Sequence, residues 1–270
     1  MRIRASVAVV TGALALTGLA VPMAHADAGS DSWNAPRSSA KVSAAGAPTI
    51  SNVVVNGGKA IVVGATAKKV VKATYTVSDP QGIGFADVAL WRGSNWNEPT
   101  AFLITDGEGA TCGTGTKVTC TSTFTIDPKM DLWNDQAGTW KVASFVMDKH
   151  GAAIERTNVG SAVVQRESKL TVNASPEPVT KDKTITITGS LTRGSWDTNK
   201  YVGYGSQSVK LQYLKKGTSA YTTLKTIKAD SKGNLKTTVK ATADGHYRYV
   251  FAGTSTTAAQ TAVADYIDVR

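Results

Sequence analysis

The chain has 270 residues, with 30 Lys/Arg against 20 Asp/Glu and a formal net charge of +10. Three histidines and two cysteines are too few and too scattered for a zinc site built on their clusters. The sequence also lacks a phosphate-cradling glycine loop, a dinucleotide fingerprint and a G-x-S-x-G nucleophile motif, which argues against an enzyme.

The N-terminus carries Arg2 and Arg4, then an apolar run over 5–21, a break at Pro22 and a small-x-small signal at Ala24-His25-Ala26. These are the three parts of a secretory signal peptide, expected over residues 1–26. The apolar run falls short of the roughly 20 residues a spanning helix needs. No later stretch is long enough to cross a bilayer, and neither a sorting motif nor a hydrophobic tail is visible. The product is therefore expected to be secreted and extracellular, with no membrane span. Cleavage leaves 270 − 26 = 244 residues and removes two positive charges, taking +10 to +8. Residues 27–47 are rich in Ser, Ala and Gly, with Trp33 the one large apolar side chain. Such a segment buries too little apolar surface to offset its ordering entropy, so disorder is expected.

From Thr49 onward the pattern is β. Ile50 and 53–55, then 61–63, form short apolar runs around Asn56-Gly57-Gly58, which reads as a hairpin turn. Val71, Ala73, Tyr75 and Val77 alternate with Lys72, Thr74 and Thr76, the period of a half-buried strand. Asp79-Pro80-Gln81-Gly82 predicts a turn, and Ala86, Val88 and Leu90 alternate again. Val118, Cys120, Ser122, Phe124 and Ile126 share one phase. Gly138 opens a strand with Trp140, Val142 and Val146 on one face, and Trp140 is the expected core tryptophan. Cys112 and Cys120 are separated by seven residues. A hairpin centred on Thr116 sets them opposite each other, where Cα atoms are about 4.5–5.5 Å apart and a disulfide can form.

The second half repeats the style. Ile185, Ile187 and Leu191 alternate with threonines. Val209, Leu211 and Tyr213 alternate with Lys210 and Gln212. Leu235, Thr237 and Val239 alternate with Lys236, Thr238 and Lys240. Tyr247, Tyr249 and Phe251 alternate with His246, Arg248 and Val250. Residues 193–206 read as a Gly-rich insertion between two strands. No convincing amphipathic helix is found. Many short strands with regular turn signals predict an all-β protein with two β-sandwich domains in tandem, 48–166 and 167–270.

Asp79-Pro80-x-Gly82-Ile83, then Gly138-Thr139-Trp140-Lys141-Val142 and Asp148-x-x-Gly151, resemble bacterial immunoglobulin-like repeats. The second half, through Val209–Tyr213, Asp230-x-x-Gly233 and 247–253, resembles another such module of exported actinobacterial proteins. The resemblance implies two immunoglobulin-like sandwiches. Such modules serve adhesion, ligand display and spacing, so no activity follows.

Candidate sites are surface features. The aromatics Trp91, Trp96 and Trp133, and the group Trp196, Tyr201 and Tyr204, fall on predicted loops or off the apolar phase. Each combines an apolar body with a polar tip suited to a sugar or a partner pocket; folding back onto the sandwich is the alternative. Residues 27–166 carry 13 Lys/Arg against 12 Asp/Glu, net +1, whereas 167–270 carry 15 against 8, net +7. Lys210, Lys236, Lys240 and Arg248 lie opposite the apolar phase and form a candidate basic surface for an anionic cell-wall polymer or polysaccharide; solubility and edge protection are the bland alternative. Nucleic acid is not an expected partner, because no nucleic-acid motif accompanies the charge. Asp127, Asp131 and Asp135 lack the glycine and closing glutamate of an EF-hand loop, and a polar turn before Pro128 is preferred to calcium binding. His150 falls in a turn and His246 at a strand start, each remote from a nucleophile motif. No cofactor and no metal are expected. The expected role is noncatalytic binding or adhesion to envelope or extracellular polymers; the alternative is a spacer without a ligand.

Overall fold

A computed structural model describes residues 46–270; the expected signal peptide and most of the segment after it lie outside the described residues. The first strands are β1 Thr49–Val55, β2 Ile61–Val63, β3 Lys69–Ser78, β4 Ile83–Arg92, β5 Ala101–Leu103, β6 Thr111–Cys112, β7 Lys117–Ile126, β8 Gly138–Asp148 and β9 Ala153–Arg166. They are followed by β10 Ser168–Leu170, β11 Asn173–Ser175, β12 Thr184–Ser195, β13 Lys200–Gly203 and β14 Ser208–Lys215. The last are β15 Thr222–Lys228, β16 Asn234–Lys240, β17 Gly245–Phe251, β18 Gln260–Thr261 and β19 Asp265–Ile267. Helical turns among the described residues are two 3-10 turns, Asn56–Gly58 and Asn134–Gln136. The protein is all-β, built of β-sandwiches.

The described residues form two compact units. The first comprises 46–59, 70–125 and 140–162; the second comprises 60–69, 126–139 and 163–270. Two excursions from the first half of the sequence thus belong to the second unit.

In the first unit, one sheet has the order β1-β3-β7-β6, and β8, β4 and β5 are neighbours in another. The alternation in β3 follows from burial of one face: Val71, Ala73, Tyr75 and Val77 are all inaccessible, while Lys72 and Thr74 are exposed. Trp140 is wholly buried, as its phase predicts. Cys112 and Cys120 are directly opposed in the β6–β7 pair and form a disulfide, with Cα atoms 4.1 Å apart. The interior also holds a carboxylate. Asp87, 2% exposed, accepts hydrogen bonds from Ser122 Oγ (2.9 Å), Thr105 Oγ1 (2.5 Å) and the Val88 N–H (2.9 Å). Ser122 Oγ in turn lies 2.9 Å from the Tyr75 hydroxyl. Burial pushes the Tyr75 phenol up, opposed by the Ser122 hydrogen bond and reinforced by the smaller contribution of the Asp87 charge.

The hairpin expected at Asn56-Gly57-Gly58 does not form. β1 pairs antiparallel with β3, whereas β2 lies parallel to the end of β9, with Ile61 opposite Val164 and Val63 opposite Arg166. Asn56, Gly57 and Gly58 take φ of 52°, 62° and 75°. Three successive left-handed residues make a longer turn than the two-residue hairpin type, and the chain leaves the β1 ladder instead of folding back on it.

In the second unit, β12 carries β10, β11, β13 and β16, and the facing sheet has the order β15-β14-β17-β18 with β19 also on β17. Ile185, Ile187 and Leu191 from β12, Leu235 from β16, Val209 and Leu211 from β14, and Tyr247, Tyr249 and Phe251 from β17 close one apolar core between the sheets. Tyr249 satisfies its buried hydroxyl on the Ile187 carbonyl at 3.0 Å, the requirement for burying a phenol. The predicted insertion at 193–206 is largely a hairpin: β12 runs on to Ser195 and β13 returns beside it, with Thr192 opposite Gly203 and Ser195 opposite Lys200.

Candidate binding surfaces

The aromatic candidates divide by burial. Trp91 is 3% exposed. Its indole N–H donates to the Thr157 carbonyl at 2.6 Å, and Lys141 Nζ lies 4.3 Å from its ring centre. The off-phase position that suggested display is covered by neighbouring side chains, which corrects that expectation. Trp96 packs edge-on against Trp91, with centroids 5.2 Å apart, and also meets Phe102 at 5.7 Å. It stays half-buried, with its N–H held by Glu155 Oε1 at 3.0 Å.

Trp196 is another correction, being wholly buried in the second unit. Its indole N–H donates to the carbonyls of Val63 (3.4 Å) and Gly64 (3.1 Å), and its backbone N–H to Asn134 Oδ1 (2.9 Å). Asn134 itself donates from Nδ2 to Asp197 Oδ2 at 2.7 Å and to Ser195 Oγ at 3.1 Å. A residue expected to offer its ring to a ligand instead anchors the β12–β13 hairpin on segments 60–69 and 126–139. Trp133 is half-buried at the start of the second 3-10 turn, where its N–H donates to Gln136 Oε1 at 2.9 Å.

Tyr201 and Tyr204 are half-buried and paired with cations. Lys169 Nζ lies 3.7 Å from the Tyr201 ring centre, and the Arg193 guanidinium 4.0 Å from that of Tyr204. The Tyr201 hydroxyl donates to the Glu167 carboxylate. Its phenol is pushed up to about 12, first by burial and then by the hydrogen bond and charge of Glu167. Tyr204 packs edge-on against Phe251 at 5.7 Å, against the core. Trp196, Tyr201 and Tyr204 therefore do not form one displayed cluster.

The four basic candidates fall on two sheets. Lys236 and Lys240 lie on β16 opposite Thr188 and Thr184 of β12. Lys210 and Arg248 lie on β14 and β17 of the facing sheet. All four stand off the buried phase; the lysines are exposed and Arg248 is half-buried. Arg248 also has a partner that sequence reading missed. Its guanidinium lies 3.5 Å from the Tyr221 ring centre, and its Nε donates to Gln212 Oε1 at 2.9 Å. Tyr221 precedes β15 in a Thr-Ser-Ala-Tyr stretch without alternation. The signal that locates it is the register, which places Gln212 between Thr223 and Arg248.

The aspartates of the polar loop cap their own turns. Asp131 Oδ2 accepts the Asp127 N–H at 2.6 Å, Asp127 Oδ1 accepts the Lys129 N–H at 2.9 Å, and Lys68 lies 3.7 Å from Asp127. His150 is exposed in the turn after β8, its N–H bonded to Asp148 Oδ1. His246 belongs to the other unit and packs 5.0 Å from the Tyr266 ring.

No protein-family model matches the chain, and no curated protein is similar to it. Among solved structures it is similar to dimeric latent PorU from Porphyromonas gingivalis, at 15% identity and TM-score 0.30, covering 82% of this chain and 20% of that one. It is similar to the D00-D0 domain of Intimin, at 14% identity and TM-score 0.28, covering 81% and 99%. It is likewise similar to the Yersinia pseudotuberculosis adhesin InvE, at 14% identity and TM-score 0.27, covering 82% and 58%. The chain thus spans a fifth of the PorU chain and less than two thirds of the InvE chain. Scores this low transfer neither fold nor function, and the sandwich assignment rests on the strand pairing and buried phases of this chain.

Proposed function

We propose that the protein is an exported, noncatalytic binding or adhesion protein that holds cell-envelope or extracellular polymers on its surface. The observation that carries this reading is the distribution of charge in the second unit. Residues 167–270 hold a surplus of seven positive charges, 15 against 8, and Lys210, Lys236 and Lys240 are exposed, off the buried phase of their strands. Exposed charges act weakly one at a time and are screened over about 8–10 Å in physiological salt, so attachment to an anionic polymer is multivalent and salt-sensitive. Among the described residues, Asp127, Asp131 and Asp148 cap turns and His150 and His246 lie in different units, which supports the same reading.

The test is co-sedimentation of the mature protein with purified cell walls and with insoluble extracellular polysaccharide, at low and high salt. Retention at low salt that falls as salt rises is expected. Absence of retention at low salt overturns the proposal and leaves the spacer reading.

A further inference from the structure

We propose that the outward face of the sheet β15-β14-β17-β19 is a docking face for an acidic polysaccharide. This inference rests on the binding function proposed above and assigns it a face and a ligand class.

The register sets the geometry. Ser208 on β14 lies opposite Lys228 on β15; Lys210 lies opposite Val250 on β17, and Gln212 opposite Arg248. His246, opposite Leu214, lies opposite Tyr266 on β19. Val209, Leu211, Tyr247, Tyr249 and Phe251 point into the core, so the alternate residues Lys210, Gln212, Arg248 and His246 point outward. Lys228, Lys210, Arg248 and Tyr266 then form a diagonal row across four strands, each one strand over and two residues along from the last. Diagonal neighbours of this kind are about 7–8 Å apart. Three cations at a regular step, followed by an aromatic ring, match a polymer with regularly repeated negative charge and sugar faces.

Carboxylates are absent from the strand positions of this row. Among the described residues, no Asp or Glu occupies an outward register position of β14, β15, β17, β18 or β19. Asp265 pairs with the inward Tyr247 and accepts the Ala174 N–H at 2.7 Å. Asp244, at the end of the face, is bonded to Lys216 at 3.1 Å and also to the Tyr266 hydroxyl, so the carboxylate that reaches the row does so at its aromatic end. Lys236 and Lys240 belong to the other sheet and do not join the row.

Arg248 selects among polyanions. Its Nε bond to Gln212 and its stacking on Tyr221 fix the guanidinium plane. A guanidinium held in place presents a planar fork to a carboxylate and loses less side-chain freedom on binding than a lysine. Tyr221 and Tyr266 are each half-buried, and the ring surface left uncovered by Arg248 and His246 is where a sugar ring can stack. A chain of phosphates would use the cations and leave the rings idle; a polysaccharide carrying carboxylates uses both.

The experiment titrates the full chain with polygalacturonate, long-chain polyphosphate and neutral dextran at low salt, beside the wall co-sedimentation. Polygalacturonate is expected to bind, and dextran is expected to bind at least tenfold more weakly. K210E/K228E should weaken polygalacturonate binding at least tenfold, while K236E/K240E, the same charge change on the other sheet, should weaken it less than threefold. R248K keeps the charge and loses the planar fork, so a several-fold loss is expected, as for Y221A. Thermal melts of each variant should match the parent. If the two lysine pairs have equal effects, or if R248K and Y221A leave polygalacturonate binding unchanged, the face is overturned. Polyphosphate binding more tightly than polygalacturonate overturns the ligand class. Wall retention that survives any of these results leaves the broader binding function standing, whereas loss of wall retention in the parent removes both.

Discussion

Each unit buries a tyrosine hydroxyl, but they satisfy it differently. In the first unit Tyr75 joins a side-chain network through Ser122 to the buried Asp87. In the second, Tyr249 reaches a backbone carbonyl of the facing sheet, Ile187 O, and is surrounded by the apolar cluster. A carboxylate inside a sandwich demands that each of its donors stay in place, because a buried donor left without an acceptor costs about 1–3 kcal/mol. A carbonyl acceptor is already part of the sheet and asks for nothing more. The first interior is therefore more sensitive to polar substitution, and the second to loss of volume.

The largest expected effect tests loss of volume in the second unit, at the Trp196 anchor outside the main apolar cluster. W196A should destabilise the second unit by about 3–5 kcal/mol, the usual range for deleting a buried aromatic side chain. W196F, which keeps most of the volume but loses the indole donor to Val63 and Gly64, should cost less than half of that. Chemical denaturation followed by circular dichroism measures both; equal losses for the two would place the effect in the hydrogen bonds instead of the packing.

Next in size is the polar interior of the first unit. D87A leaves Ser122, Thr105 and the Val88 N–H without their acceptor and should cost about 3 kcal/mol. D87N retains one acceptor oxygen and should cost roughly half as much. A reversed order in the same denaturation experiment would break the contrast drawn between the two interiors.

The disulfide gives a smaller effect confined to the first unit. Removing the bond by C112S/C120S frees a short loop and should cost about 2–3 kcal/mol. The check is a differential scan of the wild type and the variant; a shift in the unfolding of the second unit alone would contradict the placement of Cys112 and Cys120.

The smallest effect is alkaline. Burial raises Tyr247 to about 12, with a lesser contribution from Tyr213, and Tyr201 also stands at about 12. In the unfolded chain a tyrosine titrates near 10. A folded-state value above the unfolded one gives stability that is fully present below pH 10 and lost as pH rises through 12. The melting temperature should hold to about pH 10 and then fall by several degrees toward pH 12. Absorbance at the tyrosinate band should report the same titration; tyrosines ionising near 10 without loss of structure would show that burial does not hold them.

The fold was legible where a strand buries one face, and the pairing partners were not. Val71, Ala73, Tyr75 and Val77 reveal β3 because each is inaccessible, and the same holds for Val209 and Leu211 of β14 and for Tyr247, Tyr249 and Phe251 of β17. Alternation records the phase of a strand and is silent about its neighbour. That is why Asn56-Gly57 read as a hairpin although β2 pairs with residues more than 100 positions away. Cys112 and Cys120 were readable because a hairpin is local. Trp196 was misread because its acceptors, Val63 and Gly64, lie far away in sequence. Of the basic candidates, the outward phase of Lys210 and Arg248 was legible, and their separation from Lys236 and Lys240 came only with the register.

The parallel pairing of β2 with the end of β9 bears on the order in which the protein can be made. Chain emerges from the ribosome N-terminus first, so Ile61 is available about a hundred residues before Val164. The Trp196 indole arrives later still, 132 residues behind Gly64. Contacts of such separation carry a loop-closure cost that local hairpins do not, and they slow folding. For that interval Ile61 and Val63 wait as an unpaired apolar segment, the kind of exposed strand that associates with other chains. Shielding 60–69 until residues 163–196 are available to cover it would keep that segment from associating with other chains.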